Sequence, residues 1–247
     1  MPSSPSPSAF HLPLSAIDQV NRPPLYYLWV QDGCIIGGGL LWTIAYVLYI
    51  LQSHRDNSYG MPLIALCANI GWELAYGVFY PLPYIETATF LLWAVIDLGI
   101  AHATVKFSLA QWRHAPLVGR NLAVIMSIGC VVSLVVHCEF IKRNASPTEA
   151  AFWSGFACQN LLGVLSVGQI VSRANTSGHS RIIWLCRWVG SSLATVVFAW
   201  RHYNYPASYP YVSSPVAVFM LVLMQLVDFT YLFVYERIET QLKKKTQ

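Results

Sequence analysis

Three acidic residues lie where a carboxylate is costly. Glu73, Asp97 and Asp228 each sit inside a long apolar run. At membrane depth such a residue faces a cavity or a partner. Residues three, four and seven apart share a helix face. Glu73 therefore aligns with Asn69, Tyr76 and Tyr80, and Asp228 with Gln225, Tyr231 and Tyr235. Each acid has an amide and tyrosines beside it. Two readings fit: hydrogen-bonded structural contacts between helices, or the polar mouth of a reaction cavity. Burial disfavours the ionised form of a carboxyl group, so one acid could keep its proton near neutral pH and act as a general acid. Asp32 and Glu139 lie nearer the ends of their runs and are expected at the interface.

The chain holds nine Trp, fourteen Tyr and eleven Phe. Trp72, Tyr76 and Phe79 form one stripe, and Trp93, Trp153 and Phe229 lie near the acids in sequence. A desolvated aromatic face attracts a cation by about 2 kcal/mol or more, so these rings could guide a carbocation without quenching it. Most of the aromatics are expected in interfacial belts. The amides Gln159 and Asn160 are also costly in lipid. Bonding between helices is their ordinary role, and lining a substrate pocket is the alternative. His102 and His137 have no companions at metal-ligand spacing, so no metal is expected. Nor is any cofactor. There is no acidic D-D-x-x-D cluster for magnesium and pyrophosphate, and no P-loop, G-x-S-x-G or H-E-x-x-H. The six cysteines all fall in apolar stretches with no C-x-x-C pair and read as buried packing.

These groups need long apolar elements to hold them. The chain is 11% charged and 55% hydrophobic, with a mean hydropathy of +0.48, against about 25% charged in a soluble domain. That supply suits a surface facing lipid. Seven runs reach the ~20 residues that a spanning helix needs: 26–51, 61–80, 85–107, 122–141, 151–173, 182–204 and 211–236. The expected fold is all-α, a polytopic bundle of seven transmembrane helices. It would occupy 26–236, between a polar Pro/Ser-rich segment (1–25) and a basic cytosolic tail (237–247). A cleavable signal peptide is not expected. Ten basic residues, among them Arg55, Arg173 and Lys243 to Lys245, fall on one side. Four fall on the other: Arg22, Lys142, Arg143 and Arg201. Arg187 is left inside the sixth run. The asymmetry predicts a non-cytosolic N-terminus and a cytosolic C-terminus. Lys244-Lys245-Thr246-Gln247 is either a dilysine signal for return to the endoplasmic reticulum or a plain positive-inside anchor. The basic residues sit singly rather than on one face, which excludes nucleic acid.

Gly71-Trp72-Glu73-Leu74-Ala75-Tyr76, with Gln225-Leu226-Val227-Asp228-Phe229-Thr230-Tyr231, resembles the motifs of the fungal integral-membrane terpene cyclases of meroterpenoid and indole-diterpene pathways. The resemblance runs along essentially the whole chain. It implies a membrane enzyme that protonates the terminal epoxide of a prenyl chain joined to an aromatic, pyrone or indole unit. Cationic polyene cyclisation would follow. It implies Glu73 and Asp228 as the catalytic pair, with Asp228 the expected donor, approaching each other around one cavity. Trp72, Tyr76, Trp93, Asp97, Gln159, Asn160 and Tyr231 are expected against the substrate. The implied partners are an epoxidised prenyl-arene, the lipid bilayer, and a pathway prenyltransferase or epoxidase. A small proton-coupled transporter and a seven-helix receptor or scaffold are the alternatives. A retinal protein is disfavoured because the last run has no lysine for a Schiff base.

Overall fold

A computed structural model describes residues 10–246. A short helix α1 (Ala16–Asn21) precedes the long α2 (Leu25–Asp56). Next come α3 (Leu63–Leu74), which continues as one π turn (Ala75–Phe79), and α4 (Tyr84–Lys106). Two short helices, α5 (Ser108–Gln111) and α6 (Pro116–Arg120), lead into α7 (Leu122–Lys142). Then α8 (Pro147–Arg173), α9 (Arg181–Asn204), a 3-10 turn (Pro210–Ser213) and α10 (Pro215–Thr246) complete the described chain. Six of these helices are long and apolar enough to cross a membrane: α2, α4, α7, α8, α9 and α10. The seventh expected run is the shorter helix Leu63–Phe79.

Local chemistry sets most of the boundaries. Ser146 caps α8 by accepting from the Glu149 N–H at 3.1 Å, with Pro147 at the first helical position. That starts α8 four residues before the apolar run begins. Ser180 caps α9 through the Ile183 N–H at 3.2 Å. At its other end α10 runs on through the basic tail. Glu239 and Lys243, one turn apart, form an ion pair there at 3.0 Å.

The bundle is inside out by the standard of a soluble protein. On α10, Phe219, Val222, Leu226, Phe229 and Phe233 form an exposed stripe, while Met224, Asp228, Tyr231 and Tyr235 are buried on the opposite face. On α7, Val124, Ile128, Val131 and Val135 face outward. Apolar side chains outside and polar ones inside are what lipid selects.

Helix α2 packs along α9, α8 along α10, and α3 along α7. Helix α3 also meets α4 and α8, so it sits inside the bundle. Its approach to α7 depends on Gly71. A Cβ there would overlap the Ser133 hydroxyl and lie 2.7 Å from the Leu134 amide nitrogen. Small residues permit this kind of close crossing in membranes. Glu73 follows two residues later.

Candidate active site

An apolar cavity of about 240 Å³ opens at one end of the bundle and closes near its middle. Along α2 its wall runs from Cys34 to Tyr46, roughly 18 Å of helix at ~1.5 Å per residue. Its volume is many times the ~10–15 Å³ of such space that one water needs, and it can take a folded hydrocarbon chain. Rings line it: Trp42, Tyr46, Trp72, Phe90, Trp93 and Phe156. They brace one another, with Trp72 and Phe90 at 4.5 Å between centroids and Tyr46 edge-on to Trp93 at 5.7 Å. The indole N–H groups are used up inside the wall. Trp93 donates to the Thr43 hydroxyl at 2.9 Å and Trp72 to the Ser154 hydroxyl at 3.0 Å.

Glu73 backs the closed end and is fully buried. Its Oε1 accepts from the Tyr46 hydroxyl at 3.1 Å, and Asn69 donates to that same hydroxyl at 3.0 Å. Asn69 therefore shares Glu73's face as the helical spacing predicts, and reaches it through Tyr46. Oε2 has no hydrogen-bond partner among the described residues. Neither Glu73 nor Asp97 forms an ion pair among them. Asp97 lies behind Tyr46, within electrostatic reach of it and of Glu73, and both of its oxygens are unpartnered.

Asp228 is in a different setting. Its Oδ1 accepts from the Arg187 guanidinium at 2.7 Å, with both side chains fully buried. Its Oδ2 accepts from the Gln159 amide at 3.3 Å. The cavity wall includes Gln159 but not Asp228, so the expectation that both acids meet around one space is not what the geometry shows. Asp228 stands one amide behind the wall. Arg187 also stacks on Tyr231, at 5.1 Å from the ring centroid. Sequence reasoning left Arg187 without a partner. Its being the one basic residue deep in an apolar run was the available signal.

Of the other residues expected against substrate, Trp72, Trp93 and Gln159 line the cavity. Four do not. Tyr76 is tied to the Ser154 hydroxyl at 2.9 Å. Asn160 donates to the Phe156 and Met220 carbonyls at 2.9 and 3.1 Å, joining α8 to α10. Tyr231 pairs with His179, and Asp97 lies beneath the wall. Trp153 bonds Glu149 near the start of α8, and Phe229 points outward. Asp32, expected at an interface, is buried and accepts from the Leu12 N–H at 2.7 Å. Glu139 is exposed and paired with Lys142 at 2.6 Å.

His179, in the α8–α9 loop, is fully buried, with Nδ1 3.1 Å from the Tyr231 hydroxyl. Burial, with the charges of Arg173 and Arg187 nearby, pushes its imidazole down from 6.5 to about 3. As pH falls below the ordinary value, the unfolded chain binds a proton here that the folded chain refuses. Stability is therefore present above about pH 6.5 and declines toward pH 3 by at most ~1.4 kcal/mol per pH unit. His179→Gln should flatten the fall in unfolding temperature between about pH 7 and pH 5. An unchanged slope would place the acid sensitivity elsewhere.

A family model described as Pyr4-like transmembrane terpene cyclases matches residues 17–241. The chain is 48% identical over 238 residues to the Pyr4-family terpene cyclase mfmH of Annulohypoxylon moriforme, covering 96% of this chain and 98% of that one. It is 34% identical to terpene cyclase macJ of Penicillium terrestre (91% and 90% covered) and 36% identical to terpene cyclase atmB of Aspergillus flavus (82% and 84% covered). No solved structure matches.

Proposed function

The chain belongs to the Pyr4-like transmembrane terpene cyclases, and from that membership we propose that it cyclises an epoxidised prenyl chain carried on an aromatic, pyrone or indole unit, with Glu73 as the proton donor. The observation that carries this reading is Glu73 itself: a buried acid with one oxygen unpartnered and no ion pair among the described residues, at the closed end of an aromatic-lined cavity. An ionised carboxylate in that position would be an unpaired charge in an apolar site, which is costly. Asp97, within electrostatic reach, is a second acid with no ion pair among the described residues, and two such charges would repel. Asp228 has its counter-ion in Arg187. The donor role expected for Asp228 therefore passes to Glu73, and Asp228 becomes a positioning residue that holds Gln159 in the wall.

In this reading the Glu73 proton moves to the epoxide oxygen, and the bond from that oxygen to the tertiary carbon breaks. The next alkene supplies its π electrons to the cationic carbon and a ring closes. Further alkenes repeat the step. The final cation loses a proton or is captured by an oxygen of the ring, whose proton is released, so the acid is restored and the reaction is an isomerisation. Rings such as Trp72 and Trp93 stabilise the passing charge, and the apolar wall keeps water from intercepting it. The same reading places the N-terminus on the lumenal side of the endoplasmic reticulum and the C-terminus in the cytosol. It also places the enzyme beside the prenyltransferase and epoxidase that would supply its substrate. The basic-residue asymmetry and the lysines before the C-terminus support this placement.

The test uses membranes containing the protein and a panel of epoxyprenyl-arenes, each paired with its alkene parent. Cyclised product is expected from the epoxides alone. Cyclisation of the alkenes at the same rate, or of none of the panel, would overturn the reading.

A further inference from the structure

The open end of the cavity carries a polar group that proton transfer at Glu73 does not use. Arg201, in the last turn of α9, and Glu86, in the first turn of α4, both line the cavity there. They also line a smaller neighbouring pocket, whose wall includes Leu12, Ser15 and Asp18. Arg201 is only 6% exposed, so its charge is not reaching out to water. Among the described residues its guanidinium makes one hydrogen bond, from Nε to the Gln31 side-chain oxygen at 2.7 Å, and forms no ion pair. The plane is held against Phe198 and Tyr209, at 5.5 and 5.8 Å from the ring centroids. Glu86 lies within electrostatic reach of Arg201, yet its Oε2 is buried and has no partner among the described residues.

A buried guanidinium and a buried carboxylate oxygen, near each other and not joined, are an expensive arrangement. If stability alone had shaped this corner, they would close into an ion pair. Lining one cavity without an ion pair between them, they can instead receive something there.

Residues 10–15 and α1 form the roof. Leu12 N–H bonds Asp32, the Trp29 indole bonds the Phe10 carbonyl at 3.2 Å, and Asn21 donates to Ser208 at 3.1 Å. Asp18 accepts from Gln31 at 3.3 Å, and Gln31 is the residue that holds Arg201. Ser15 then reaches the main cavity from above. The roof and the guanidinium are parts of one hydrogen-bonded unit.

We propose that Arg201 and Glu86 form a head-group subsite at the cavity mouth, where the guanidinium donates to an acceptor oxygen on the substrate's ring and the Glu86 carboxylate accepts from a hydroxyl on the same ring. This rests on the cyclase reading above and adds the substrate's orientation: hydrocarbon inward to Glu73, oxygenated ring outward beneath residues 12–18. The subsite selects a ring bearing both an acceptor and a donor. A methyl ether loses the donor, and a prenyl alcohol without a ring loses the acceptor oxygen and the hydroxyl that the ring would place there.

The test compares three probes: a hydroxypyrone carrying an epoxyfarnesyl chain, its methyl ether, and epoxyfarnesyl alcohol. Wild type, Glu86→Gln and Arg201→Gln are assayed in nanodiscs. Both variants keep a neutral hydrogen-bonding group and lose its charge, so KM for the hydroxypyrone should rise by about 5- to 10-fold, the difference between a charge-assisted and a neutral hydrogen bond. kcat should change by less than about threefold, and KM for epoxyfarnesyl alcohol should stay put. Glu86→Gln is nearly isosteric at a half-buried position, so it decides the matter if Arg201→Gln does not fold. Binding of the non-epoxidised farnesyl hydroxypyrone, followed by quenching of the cavity tryptophans, reads the subsite without turnover. It separates failure of the subsite from failure of the cyclase reading. Equal weakening of all three probes, or no change in hydroxypyrone binding by Glu86→Gln, overturns the proposal.

Discussion

Replacing Asp228 with Asn should cost about 3–5 kcal/mol of folding free energy, because it leaves the fully buried Arg187 guanidinium without its counter-ion. At about 2–4 °C per kcal/mol for a chain of this size, the unfolding midpoint in mild detergent should drop by roughly 10 °C, with less inserted protein in membranes. Arg187→Met should cost a similar amount from the other side. The double variant Arg187→Met with Asp228→Leu removes both charges and should recover most of the loss, since a buried ion pair can be exchanged for apolar packing at little net cost. If the double variant loses as much as the Arg187→Met and Asp228→Leu single variants combined, the 2.7 Å contact is not an energetic pair. If the pair is energetic, any cyclisation lost in Asp228→Asn is explained first by lost fold and by a displaced Gln159, whose amide bonds Asp228 at 3.3 Å.

That outcome differs from the expectation drawn from the sequence, in which Asp228 is an acid at the cavity and its amide variant inserts normally. The reason lies in what a linear pattern can carry. Apolar run length shows where helices cross, and it placed Glu73, Trp72 and Trp93 on elements that do line a cavity. Family motifs pointed to terpene cyclisation over the transporter and receptor alternatives, and the matches to known cyclases support that class. Pairing between helices is another matter. Arg187 could in principle meet Glu73, Asp97 or Asp228, and only the rotation of α9 against α10 selects Asp228. Asn160 and Gln159 are neighbours on α8, yet they face different partners: two backbone carbonyls for one, the cavity wall for the other. Residues 10–24 have no apolar period to mark them as structured. They are held by single contacts such as Leu12 to Asp32 and Asp18 to Gln31. The π turn after Glu73 is likewise invisible to a count of three and four.

The second large effect concerns Glu73. Glu73→Gln keeps the volume of the side chain and its acceptor for the Tyr46 hydroxyl, and removes the proton that the epoxide would take. No ion pair is broken, because Glu73 has none among the described residues. The unfolding midpoint should therefore move by only a degree or two, in contrast with Asp228→Asn. Turnover should fall by about 10²–10⁴-fold, the usual worth of a general acid. Asp97→Asn should be milder, since Asp97 is out of the wall and would act on the reaction only through Glu73. The most direct measurement takes binding and single-turnover cyclisation of the epoxyfarnesyl hydroxypyrone on the same Glu73→Gln sample in nanodiscs, at matched folded protein. The account predicts binding within about threefold of wild type and product formation lower by at least ~10²-fold. Near-normal product formation by folded Glu73→Gln would contradict it.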